Sequence, residues 1–180
     1  MEEFKRIKRE LNHKGTIIDF YTDYVEVPNG NLAKWDFIDH KGAAAIVPVD
    51  EAGNVLMVRQ WRNAIDNYTL EIPAGGLNPG ETDRKACAVR ELEEETGYRT
   101  EYDKTEHLFD IYTTVAFSNE KIGIYYTNCL YPSKQHLDED EFIHVERHSL
   151  EEITEMILAG KIVDNKTITS ILAYKAKMGL

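Results

Sequence analysis

The segment from Thr69 to Gly97 constrains this chain more than any other, because it reads as a strand, a glycine-rich loop and an acidic helix in immediate succession. Thr69-Leu70-Glu71-Ile72 is strand-like and stops at Pro73. Ala74-Gly75-Gly76-Leu77-Asn78-Pro79-Gly80 is the loop. Residues 82–96 carry helical periodicity, and Gly97 supplies the stop. At about 100° per residue with Glu91 as zero, Glu95 lies near +40° and Glu94 near −60°, while Ala86, Ala88, Val89, Leu92 and Thr96 fill the arc from about 60° to 220°. Acid and core are therefore expected on different faces, with the carboxylates on a solvated one.

Four of the five residues from 91 to 95 are glutamates. Like charges at i,i+4, such as Glu91 and Glu95, cost a helix roughly 0.2–0.5 kcal/mol per pair, and a divalent cation would remove that cost. Oxygen ligands at this density suit Mg²⁺ or Mn²⁺. Zinc is disfavoured, because no histidine or cysteine is placed to complete a tetrahedral set. Arg90, one turn before Glu94, can hold that carboxylate and fix its rotamer.

Around this segment the pattern alternates strands with a few helices. Residues 16–20, 24–27 and 32–38 read as an antiparallel meander. Three short strands without helices bury little by themselves, so residues 1–41 form a candidate dimerisation arm. The apolar runs 43–49 and 55–61, separated by Asp50-Glu51-Ala52-Gly53-Asn54, suggest a central hairpin. Strands are expected at 106–116, 121–127 and 142–145, with a loop at 131–139. Two helices close the chain, the first capped by Ser149 with Glu151 and Glu152 in its opening turn, the second over 166–177. The fold class is α+β, a sandwich with helices on either side of a mixed sheet.

Composition narrows the partners. The chain has 180 residues, 21 Lys+Arg against 32 Asp+Glu, and a net charge of −11, which argues against nucleic-acid binding. No stretch approaches the ~20 apolar residues of a membrane span. Cys87 and Cys129 have no CxxC partner, so two reduced thiols in a cytoplasmic protein are expected.

From Gly75 the chain reads GGLNPGE, TDRKACAV, then Arg90-Glu91-Leu92-Glu93-Glu94-Glu95-Thr96-Gly97-Tyr98. This resembles the signature of the Nudix hydrolase superfamily, and its second half fits at every fixed residue. The first half departs by one place: eight residues separate Glu81 from Arg90 where the pattern has seven. The resemblance implies an αβα sandwich over residues 42–180 and hydrolysis at the pyrophosphate of a nucleoside diphosphate linked to another moiety. It also implies that Glu91 and Glu95 ligate Mg²⁺, that Glu94 stands close by, and that the backbone carbonyl of Ala74 adds a ligand.

Gly42-Ala43-Ala44-Ala45-Ile46-Val47-Pro48, Val58-Arg59-Gln60-Trp61-Arg62 and Glu71-Ile72-Pro73-Ala74-Gly75 are similar to stretches of the ADP-ribose and ADP-sugar pyrophosphatase branch. That branch implies a homodimer formed through the amino-terminal arm. It implies Arg62 as a phosphate contact, with a surface ion pair as the plain alternative. Glu71, in the third of these stretches, is taken as substrate-binding. Trp35 matches a position that presents a side chain to adenine, or else serves core or interface. In the acidic loop 138–141, Glu139 is expected to activate water and Glu141 to hold metal, with the roles exchangeable and a solvated loop the plain reading. His136, His144 and His148 read as surface histidines. Thr114-Val115-Ala116-Phe117-Ser118-Asn119-Glu120 has Val115 and Ala116 where many ADP-ribose enzymes carry Pro-Gly. ADP-glucose, UDP-glucose and GDP-mannose therefore stand beside ADP-ribose as substrates, and a regulator that binds nucleotide sugars without turnover stands behind them.

Overall fold

A computed structural model describes residues 2–180. The chain divides into two compact units, one reaching to Gly42 and taking in Tyr112–Lys121, the other formed by Ala43–Ile111 and Ile122–Leu180.

In the first unit β1 (Lys5–Lys14), β2 (Asp19–Glu26) and β3 (Leu32–Asp39) form an antiparallel sheet in that order. The sequence reading misses β1 and splits β2 in two. The cause is physical: Ile7 and Leu11 of β1 are exposed, so no buried alternation marks the strand. Pairing with β2, from Lys5 opposite Glu26 to Lys14 opposite Asp19, holds it instead. Arg9 donates both forks to Asp23 at 2.6 Å and lies 3.5 Å over the Phe37 ring. The 112–121 segment joins this sheet by main chain and side chain, Ile38 N–H donating to the Phe117 carbonyl at 2.7 Å and His40 N–H to the side-chain Oδ1 of Asn119 at 2.8 Å.

The second unit contains, in chain order, β4 (Ala43–Pro48), β5 (Asn54–Arg62), β6 (Asn67–Glu71), β7 (Ala74–Gly76), α1 (Arg84–Thr96), β8 (Tyr98–Arg99), β9 (Glu106–Tyr112), β10 (Lys121–Thr127), β11 (Tyr131–Pro132), β12 (His144–Ser149), α2 (Leu150–Leu158) and α3 (Asn165–Met178). One sheet has the order β7-β4-β10-β9, with β4 and β10 parallel; a second, antiparallel, has the order β12-β5-β6. The expected hairpin of 43–49 with 55–61 is thus corrected. β4 and β5 belong to different sheets and share only the isolated bridge of Val49 with Val55. β4 is buried throughout and β5 is buried over residues 55–58, on both faces, as central strands are. The Asp50 side chain, accepting from Ala52 N–H and Asn54 N–H, shapes the turn that carries the chain between the two sheets.

The period of two along β4 sorts its side chains into two cores. Ala43, Ala45 and Val47 face Val55, Met57, Leu70 and Ile72 together with Ile153, Ile171 and Tyr174 of α2 and α3. Ala44 and Ile46 face Cys87, Ala88 and Leu92 of α1. Helices therefore lie on both sides of the mixed sheet, as expected. Asp83 caps α1 by accepting from Lys85 and Ala86 N–H, and Gly97 ends it at φ 70°, a left-handed conformation that glycine adopts without strain. Ser149 and Glu152 form a full capping box on α2. Among the described residues no helix is long and apolar enough to cross a membrane.

Candidate active site

Leu92 and Ala88 fix α1 against β4, and this rotation turns Glu91 and Glu95 toward the Ala74–Gly76 strand. Both carboxylates are buried, Glu91 9% and Glu95 3% exposed, which corrects the expected solvated face. The reason is the loop. Gly75 has no side chain, and a Cβ there would lie 2.1 Å from the Glu91 carboxyl carbon, so only glycine lets the main chain close over the acids. Ala74 N–H donates to Glu95 Oε2 at 3.1 Å. Burial raises the Glu91 pKa to about 7 against the pull of Arg90, with the charges of Glu94 and Glu141 adding to the rise. Burial, then the charge of Glu91, raises Glu95 well above the usual carboxylate range, and Glu141 adds to it.

Arg90 organises the rim. Its Nη1 donates to Glu91 Oε1 and to Glu94 Oε2, both at 2.7 Å, as the sequence spacing predicts for Glu94. Its Nη2 donates to the Gly76 carbonyl at 3.2 Å and to Glu81 Oε2 at 3.3 Å. The extra residue between Glu81 and Arg90 therefore leaves that contact intact. Cys87 donates to the Gly75 and Gly76 carbonyls at 3.7 and 3.5 Å, and burial pushes its thiol up to about 12, which removes it as a nucleophile.

The donor set at this point is two buried carboxylates beside a backbone segment. Among the described residues no three His, Cys, Asp or Glu side chains converge as a complete metal site. Glu94 is drawn aside by Arg90. Even so, the site fits a hard divalent cation: its donors are oxygens, the Gly75 main chain lies directly against the Glu91 carboxylate, and two adjacent buried carboxylates lack a full countercharge.

Behind this pair lies a second buried glutamate with the opposite electrostatics. Glu71, 1% exposed, accepts from Arg62 Nε at 2.7 Å and Nη2 at 2.6 Å, from Thr69 Oγ1 at 2.5 Å, and from Lys166 Nζ. Burial opposes its charge, but the guanidinium and ammonium prevail and lower its pKa to about 2. Glu71 lies beneath Arg62, and both of its oxygens are taken up by Arg62, Thr69 and Lys166. Lys166 is the residue that the sequence reading missed. The available signal was a lysine in the first turn of a helix, where the dipole disfavours a cation unless an anion faces it.

Arg62 lines a cavity of about 600 Å³ with Gln60, Trp61, Tyr68, Glu141 and Phe142. It opens where β12 stops pairing with β5 at His144 opposite Arg59 and the acidic loop departs. Glu139 and Glu141 are both exposed, and it is the charge of Glu141 that adds to the rise of Glu91 and Glu95. His136 donates its N–H to the Glu94 carbonyl, His148 pairs with Glu146 at 2.8 Å, and His144 is an exposed strand residue. In the other unit Trp35 is 47% exposed, 6.1 Å from the Phe4 ring, in a shallow cavity with Lys34, Asp36, Ala116 and Phe117.

A family model described as the NUDIX domain matches residues 39–169. The chain belongs to the Nudix family. It is 36% identical over 180 residues to the ADP-ribose pyrophosphatase of Bacillus subtilis, covering 99% of this chain and 96% of that one. Over 171 residues it is 36% identical to the methanol dehydrogenase activator of Bacillus methanolicus, covering 94% and 91%. The ADP-ribose pyrophosphatase of Mycobacterium tuberculosis is 31% identical over 178 residues, covering 97% and 84%. A crystal structure of an ADP compounds hydrolase shares the Nudix fold at a TM-score of 0.86 and 18% identity, covering 99% of this chain and 96% of that one.

Proposed function

We propose that this Nudix hydrolase cleaves the pyrophosphate of ADP-ribose to AMP and ribose 5-phosphate, with Mg²⁺ held by Glu91, Glu95 and the Ala74 carbonyl. The observation that carries the reading is the buried Glu91 and Glu95 pair, in a chain 36% identical end to end to an ADP-ribose pyrophosphatase. When bound, Mg²⁺ supplies charge neutralisation of the pyrophosphate and polarisation of the attacking water.

The chain's own residues do the rest. Arg90 keeps Glu94 and Glu91 in fixed rotamers. Glu141, the loop acid whose charge is felt at both buried glutamates, accepts the proton of the attacking water, with Glu139 as the exchangeable partner. Arg62, 42% exposed with two of its nitrogens committed to Glu71, turns its remaining Nη1 group to the substrate phosphates. Trp35 stacks on the adenine. The exposed Phe4, Ile7 and Leu11 make the amino-terminal arm, residues 1–41, a homodimer contact. Two free cysteines, Cys87 and Cys129, accord with a cytoplasmic protein.

The test is a hydrolysis panel with Mg²⁺ over ADP-ribose, ADP-glucose, UDP-glucose, GDP-mannose, NADH and diadenosine polyphosphates, read by the products released. Preference for ADP-ribose, abolished by chelation, is the expected result. Preference for another nucleotide sugar would overturn the substrate assignment and move specificity to the loop holding Val115 and Ala116. No turnover on any would leave a binding protein.

A further inference from the structure

A lysine in the first turn of a helix sits at the positive end of the dipole, so its burial there requires anions. Lys166 of α3 is 8% exposed and has two: Glu71 on β6 and Asp164, at 3.1 Å, which caps the same helix. Asp164 also accepts from Thr167 N–H at 2.9 Å and Thr167 Oγ1 at 2.6 Å, and Thr167 Oγ1 accepts from Ile72 N–H at 3.0 Å. The start of α3 is thereby pinned to the residue that follows Glu71.

The Glu71 carboxylate is saturated. One oxygen takes Arg62 Nε and Thr69 Oγ1, the other takes Arg62 Nη2 and Lys166 Nζ. Without Lys166, Arg62 and Glu71 would form a neutral pair, and Arg62 would offer an anionic ligand a guanidinium already cancelled from behind. With Lys166 and its partner Asp164 counted, the four groups sum to zero, and removal of the ammonium would leave them one net negative charge. Asp164, 21% exposed, accepts from the ammonium at 3.1 Å, caps the helix, and its charge is felt at Arg62 as well.

We infer that Lys166 is a positioning residue that keeps Arg62, through the Glu71 they share, oriented toward the substrate phosphates with no uncompensated negative charge behind it. This rests on the proposed function, in which Arg62 binds those phosphates. A lysine that served the fold alone would alter the melting temperature and not the dependence of rate on substrate concentration through Arg62.

The experiment is steady-state hydrolysis of ADP-ribose with Mg²⁺ by the full chain and by Lys166→Met, Lys166→Arg, Arg62→Ala and the Lys166→Met/Arg62→Ala double variant. Melting curves on each show that it is folded. Lys166→Met is expected to raise KM about tenfold with kcat within about twofold, the pattern of a lost binding contact. Lys166→Arg should recover most of the loss, and Lys166→Met should add nothing once Arg62 is alanine. If Lys166→Met fails to fold, Lys166→Gln, which keeps a donor to Glu71 without the charge, carries the same comparison. An unchanged KM, or an equal rise with and without Arg62, overturns the inference while leaving the proposed function standing. A wild-type chain inert on ADP-ribose overturns both.

Discussion

Two sets of buried glutamates in one unit of this chain titrate in opposite directions. Glu91 and Glu95 on α1 are raised, Glu91 to about 7, while Glu71 on β6 is lowered to about 2. Burial opposes charge at all three. The difference is the supply of cations: Glu71 has Arg62 and Lys166 at hydrogen-bond distance, whereas Glu91 shares Arg90 with Glu94 and Glu81, and Glu95 accepts a backbone N–H from Ala74 and feels Lys166 only as a smaller, more distant charge. A carboxylate with its countercharge built in is structural. A pair lacking it is poised for a cation from outside.

The largest effect that would break this contrast is Glu95→Gln. It should lower kcat by about three orders of magnitude, as loss of a main charge-stabilising group does, and leave the metal-free protein at least as stable, since a strained buried acid becomes neutral. Unchanged turnover in steady-state assays, or an unfolded variant, would contradict it. Next, Glu71→Ala should cost about 3 kcal/mol in urea unfolding, because it leaves the buried Lys166 to Asp164 alone and the half-exposed Arg62 unpaired. A loss under 1 kcal/mol would erase the distinction.

pH separates the two sets with opposite signs. Glu71 is lowered, so its stabilisation is complete above about 4.5 and disappears as pH falls toward about 2, a loss of about 3 kcal/mol. Glu91 is raised, so the metal-free fold is penalised above about 7 and relieved as pH falls toward about 4.5. Melting temperature without divalent ions should therefore rise from pH 8 to pH 5.5 and drop below pH 4, and Mg²⁺ should stabilise more at pH 8 than at pH 5.5. The smallest effect is a control outside both sets: Ser149→Ala removes half of the α2 capping box and should cost about 1 kcal/mol with kcat unchanged.

Local chemistry was the legible part. Helix α1, its Gly97 stop, the reach from Arg90 to Glu94, strand β10 and the Ser149 cap all follow from spacing and residue type, because each is settled within a few residues. The pieces that stayed hidden depend on partners far along the chain. Strand β1 exists because β2 pairs with it, and the separation of β4 from β5 depends on which strands join them, β10 for one and β12 for the other. Wheel geometry put the glutamates opposite the apolar arc correctly, but it could not show that Ala74–Gly76 covers that side. Lys166 reaches Glu71 across 95 positions of sequence, and nothing local to either residue names the other.

The most direct test of the account is calorimetric titration of Mg²⁺ into the metal-free protein at pH 7, in two buffers of different ionisation enthalpy. Glu91, raised to about 7, is partly protonated there and burial raises Glu95 as well, so binding should release protons, and Glu95→Gln should abolish the binding. Binding that releases no proton, or that survives Glu95→Gln unchanged, would show that the cation sits elsewhere.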